Sequence, residues 1–147
     1  MTAAKTTSYE GFTEAEREAM KDRARELKAT RRGKGAKKDT EPEVLAKIAE
    51  MSEADRVLAE RIHALVEQNA PELTAKLWYG MPAYAKDGKV LCFFQPAAKF
   101  GARYATFGFN DIATLDEGTL WPTSFAVTAL TAADEERLAA LLRKAVA

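Results

Sequence analysis

The stretch Glu60-x-x-His63-x-x-x-Glu67 carries the most specific chemical signal in this chain, because Glu-x-x-His pairs hold iron in helical di-metal bundles. Such a centre needs its ligands aimed inward and a second Glu-x-x-His, and the chain has one histidine. At about 100° per residue, with Glu60 set at zero, Glu53, Arg56, His63 and Glu67 fall between about +20° and −60°. Met51, Ala54, Leu58, Ile62, Leu65 and Val66 gather on the far side, at about 120–240°. The arithmetic predicts a solvated acidic helix face rather than a di-metal centre. Glu53, Glu60 and Glu67 remain as a ladder of carboxylates about 10 Å apart along the axis. Oxygen ligands sit only ~2.0–2.6 Å from a hard cation, so the three cannot chelate one ion. They form a candidate ridge for weak metal attraction, together with Glu43 or Glu50 of a neighbouring helix. The plainer alternative is surface charge paired in part with Arg56 and Arg61.

Other reactive types give less. Cys92 is the single cysteine, set between Leu91 and Phe93, and those neighbours predict a small buried packing residue rather than an exposed, low-pKa thiol. Asp111, Asp116 and Glu117 flank a loop at no diagnostic spacing. The chain has no G-x-S-x-G, Gly-rich phosphate loop or H-E-x-x-H, so no enzymatic activity is expected. A second candidate site is aromatic: Trp78, Tyr79, Met81, Tyr84, Lys99 and Tyr104 could line a groove, with the lysine meeting an anionic ligand. Sheet aromatics beside cations also stack bases in RNA-binding modules, but the motif spacing of those modules is absent and nucleic acid is not an expected partner. Phe93, Phe107 and Phe109 are expected to fill the core.

These residues need elements to hold them. Thr13 to Glu16 and Thr40 to Glu43 are both T-x-x-E boxes, the first opening a highly charged helix from Glu14 to Thr30, the second a short helix with Pro42 in its first turn. Between them residues 31–38 bear five cations and two glycines, which reads as a flexible basic linker that could also dock a protein or nucleic acid. Ser52 starts a third helix that runs to about Asn69, and Pro71 begins a short turn or helical segment. Nine of the 13 aromatics then lie between Trp78 and Phe109. Ala83–Ala85, Asp87-Gly88 and Lys89–Gln95 read as strand, tight turn and strand, because Asp-Gly tolerates the positive φ of a hairpin. Arg103–Phe109 and Ser124–Leu130 are further strands, and Thr131 caps a last helix that buries Leu138, Leu141, Leu142 and Val146. The pattern predicts an α+β fold with an antiparallel sheet packed against helices. Residues 1–40 form an amino-terminal helix and linker, and residues 41–147 the main domain.

Whole-chain numbers bound the function classes. A chain of 147 residues with an apolar fraction of 47% suits one domain with its own core. Net charge is zero, but residues 1–38 carry 11 basic against 6 acidic residues, and residues 39–147 carry 11 against 16. A basic arm on an acidic body follows. One cysteine excludes an internal disulfide and a Cys-rich zinc site. No signal-peptide core or membrane span is legible, so the expected location is the cytoplasm.

The segment Ala70-Pro71-Glu72-Leu73, continuing through Leu77-Trp78-Tyr79-Gly80-Met81-Pro82-Ala83-Tyr84, resembles the signature of the YdhG-like family of small bacterial domains. Similarity continues through Gly88-Lys89-Val90, Phe93-Phe94, Lys99-Phe100 and Arg103-Tyr104 to Gly108-Phe109. Leu115-Asp116-Glu117-Gly118, Trp121-Pro122 and the helix around Phe12–Leu27 look like one branch. The resemblance implies an α+β fold with an antiparallel sheet. Most members have no assigned function, and some are described as frataxin-like iron chaperones that use surface carboxylates. Many relatives carry acidic residues just after Ala-Pro-Glu, where this chain has Thr74 and Ala75. The expectation is therefore a cytosolic binding protein of the YdhG-like type, with weakly bound iron as cargo and an iron-accepting protein as partner.

Overall fold

The computed structural model describes residues 13–32 and 40–147. Four helices and five strands follow one another as α1 (Glu14–Arg32), α2 (Glu41–Ala49), α3 (Glu53–Asn69), β1 (Thr74–Trp78), β2 (Met81–Lys86), β3 (Lys89–Gln95), β4 (Ala105–Phe109), β5 (Ser124–Val127) and α4 (Ala132–Ala145). The strands form one antiparallel sheet in chain order, an α+β arrangement with the amino-terminal helix present. Among the described residues, no helix is long and apolar enough to cross a membrane. The basic segment at residues 31–38 lies outside the described residues from Gly33 onward; α1 runs to Arg32.

Helix starts follow the capping chemistry in two cases of four, since Ser52 makes no side-chain cap at the start of α3. Thr13 and Glu16 exchange side-chain and backbone hydrogen bonds at 3.0 Å, and Thr131 does the same with Asp134. The Thr40 box does not close. Its hydroxyl donates to the Ala75 carbonyl, which ties the start of α2 to β1.

Both hairpin turns use two consecutive residues of positive φ. Asp87 (52°) and Gly88 (83°) join β2 to β3 as their sequence predicts, and Tyr79 (55°) with Gly80 (76°) joins β1 to β2. The turn expected at Pro71 is present, and the unexpected strand β1 follows it from Thr74. β4 starts at Ala105 rather than Arg103, and β5 stops at Val127.

Register decides which aromatics enter the core. Tyr84 pairs with Cys92, Cys92 with Phe109, and Phe94 with Phe107, so these side chains share the helix-covered face. Phe93 sits one position out of phase. Its ring lies over Gly108, where a Cβ would meet it at 2.6 Å, and packs on Trp78 at 5.3 Å between ring centroids. The expectation that Phe93 fills the core is therefore corrected: Phe94 does, because strand side chains alternate faces. Phe107 and Phe109 are buried as expected.

Cys92 is wholly buried, and burial pushes its thiol well above the ordinary range. The folded protein at neutral pH is expected to resist an aromatic disulfide reagent and to react stoichiometrically once denatured. Fast reaction of the folded chain would contradict this packing.

Asp55 is a buried carboxylate that joins α3 to the loop after β3. It accepts from the backbone N–H groups of Ala97 and Ala98 at 3.1 and 3.0 Å, and from the Ser52 hydroxyl at 3.2 Å. Asp55→Ala leaves two loop donors without their acceptor, and a loss of about 2–3 kcal/mol in urea denaturation is expected. A loss under about 1 kcal/mol would mean that water replaces the carboxylate there.

Candidate metal centre at the α2–α3–β2 junction

α3 does not present His63 to solvent. The ring is 7% exposed and sits between α2 and β2. This corrects the helical-wheel expectation, and the reason is geometric. At −60° His63 lies only about 60° beyond Val66 on the wheel, at the margin of the apolar arc. The first turn of α2 and the face of β2 close over that margin.

Three groups converge there. His63 Nε2 lies 2.9 Å from a Glu41 carboxylate oxygen and 3.5 Å from one of Glu67. One ligand atom from each residue falls within 4.8 Å of the other two. On the opposite side His63 Nδ1 meets the Tyr84 hydroxyl at 2.9 Å. A carboxylate only accepts, so the neutral ring carries its proton on Nε2, donates to Glu41, and accepts from Tyr84 at Nδ1. Tyr84 is 1% exposed, and burial followed by the nearby Cys92, Glu67 and Glu41 groups raises its phenol well above the ordinary range. It stays protonated and fixes the ring.

The two carboxylates are set apart by their surroundings. The hydrogen bond with His63, then that with Glu67, holds Glu41 below its ordinary value against the effect of burial. Glu67 moves the other way, through its contact with Glu41 and then burial, with the His63 contact opposing. Two carboxylates beside one imidazole repel each other, and a cation between them would relieve that repulsion.

The cluster opens into a cavity of about 570 Å³. Glu72, Thr74 and Tyr84 add polar groups to its wall, and Val66, Leu73 and Ala75 supply the apolar part.

The expected sites divide. Of the carboxylate ladder, Glu67 reaches His63, while Glu60 pairs with Arg56 at 3.3 Å and Glu53 borders a groove with Val57 and Arg61. A seven-residue spacing separates them too far to act together. Of the aromatic set, only Tyr84 lines this cavity. Met81 is buried, Tyr104 is partly exposed beneath Arg103, and Trp78 and Tyr79 pack on each other at 5.2 Å. Lys99 pairs with Asp22 of α1 instead, at 2.8 Å. The six do not form one groove, because β-strand alternation sends Tyr84 to the face opposite Trp78 and Met81. Glu117 pairs with Lys144 at 2.8 Å.

Glu41 was not legible as a ligand. It stands 22 positions from His63, and no periodicity links α2 to α3. Comparison with family models, with curated proteins and with solved structures finds no match.

Proposed function

We propose that this protein is a YdhG-like cytosolic binding protein that takes up a divalent transition metal, with ferrous iron the best fit, at Glu41, His63 and Glu67. One observation carries the reading: one ligand atom from each of three residues on two helices lies within 4.8 Å of the other two. Ligands ~2.1 Å from an ion and 90–109° apart are separated by about 3.0–3.4 Å. The His63 separations of 2.9 and 3.5 Å bracket that range. Cation binding would remove the repulsion between the Glu41 and Glu67 carboxylates.

A donor set of one imidazole and two carboxylates suits iron(II), manganese(II) or zinc(II) better than soft ions. With Nε2 given to an ion, the neutral ring would carry its proton on Nδ1, and the Tyr84 hydroxyl, turned to accept it, would be the outer contact that orients the ligand. Three protein ligands leave coordination positions free toward the cavity, as suits cargo that must be released. The α+β fold is also the one that the Tyr-Gly-Met-Pro resemblance implies.

Cobalt(II) tests this as a spectroscopic stand-in for iron(II). Visible d–d bands saturating at one ion per chain are expected, and they should vanish in Glu41→Gln/Glu67→Gln. Bands of equal strength in the double variant would remove the site. The cavity volume favours a second reading, a small polar molecule bound beside His63, which predicts ligand binding in chelator-treated protein.

A further inference from the structure

α1 is docked with its polarity inverted. Its larger apolar residues Met20 and Leu27 are 41% and 42% exposed, while Asp22 is 6% exposed and Glu26 is half-buried. Apolar burial therefore does little to hold this helix. Two carboxylates do the holding. Glu26 accepts from the backbone N–H of Tyr79 at 2.9 Å and of Gly80 at 2.8 Å, one through each oxygen. Asp22 accepts from Lys99 Nζ at 2.8 Å and also pairs with Arg25 of its own helix.

The receiving surface has the features of an anion receptor. Tyr79 and Gly80 are consecutive left-handed residues, and that conformation turns successive N–H groups into one concavity. Tyr79 adopts it with a side chain, which L-residues other than glycine rarely do. Lys99 adds a cation at the rim, and Lys47 of α2 lines the two small cavities that flank Gly80. A Cβ on Gly80 would lie 2.4 Å from both Asp22 Oδ2 and Lys99 Nζ, so the absence of a side chain is what admits the carboxylate and its cation together.

We propose that the Tyr79–Gly80 turn with Lys99 and Lys47 is a receptor for paired carboxylates, and that Asp22 and Glu26 fill it as an internal stand-in for an external ligand. The spacing defines that ligand. Residues four apart on a helix hold their Cβ atoms about 5–6 Å apart. A short dicarboxylate, or an acidic helix with carboxylates at i and i+4, presents the same pair. Burial, with the nearby Asp22 charge, raises the Glu26 carboxyl above its ordinary value, while the Gly80 and Tyr79 N–H groups and Arg23 oppose the rise in part. With Met20 and Leu27 left exposed, apolar burial adds little to the hold of this helix, and an external pair can compete. The receptor shares no residue with Glu41, His63 and Glu67, and it stands or falls independently of them.

The test uses the full chain and two probes, glutarate and a synthetic peptide of residues 14–32. In Asp22→Lys/Glu26→Lys, charge reversal expels α1 from the turn and opens the receptor. Titration followed by the amide resonances of Tyr79 and Gly80 should show binding at least about 10-fold tighter than to the wild type, whose tethered helix competes at millimolar effective concentration. Lys99→Ala or Gly80→Val added to the opened chain should abolish it. Response to the peptide alone identifies an acidic helix as the ligand; response to glutarate as well identifies the dicarboxylate unit. No shift with either probe overturns the proposal, as does equal binding by wild-type and opened chains. Should the opened variant fail to fold, wild-type amide exchange decides: glutarate should accelerate exchange in α1, and no acceleration overturns the proposal.

Discussion

His63→Ala is expected to weaken divalent-cation binding about 100-fold or more, while Glu53→Ala/Glu60→Ala leaves it unchanged. Loss of an outer contact to a metal ligand already costs about 10–100-fold, and His63 is the one nitrogen donor of the set. The substitution also removes the hydrogen-bond partner of the buried Tyr84 hydroxyl, at about 1–3 kcal/mol of stability. Glu67→Gln separates the two effects. Its side chain is mostly exposed and its shape is kept, so the fold should hold while the second carboxylate charge is lost. Equilibrium dialysis against cobalt(II) reads both variants. Undiminished binding in His63→Ala would assign the cation to other carboxylates.

Phe107→Ala should lower folding stability by about 3–5 kcal/mol. Phe107 is 0% exposed, pairs across the sheet with Phe94 and Phe125, and meets Phe109 edge-on at 5.1 Å. Removing the ring leaves a cavity that the surrounding core relaxes to fill only in part. For a chain of this size the melting temperature should fall by roughly 6–20 °C. A decrease of only a degree or two would mean that the sheet face is not the centre of the core.

What the sequence made legible follows from local rules. Thr13/Glu16 and Thr131/Asp134 mark helix starts because their hydrogen bonds close within four residues. Asp87-Gly88 marks a hairpin because positive φ is a local demand. β1 escaped because Thr74–Trp78 is partly covered throughout and shows no alternation of burial. Thr40 kept the appearance of a cap but spends its hydroxyl on β1, a partner 35 positions away. The candidate site fails for the same reason. Glu67 and His63 were visible as helix neighbours, but the wheel treats α3 as an isolated rod and gives no account of what covers its margin. Asp55 offered a better clue. At about 220° it falls inside the apolar arc, where a carboxylate must find donors. The inverted polarity of α1 could not be read at all, because Met20, Asp22, Glu26 and Leu27 show which faces exist but not which one docks.

Anaerobic calorimetry with iron(II) tests the central claim most directly, on the wild-type chain, on Glu53→Ala/Glu60→Ala and on His63→Ala. One ion per chain is predicted for the first two proteins and no saturable heat for the third. Saturable binding that survives in His63→Ala, or that disappears with Glu53 and Glu60, would contradict the assignment of the cation to Glu41, His63 and Glu67.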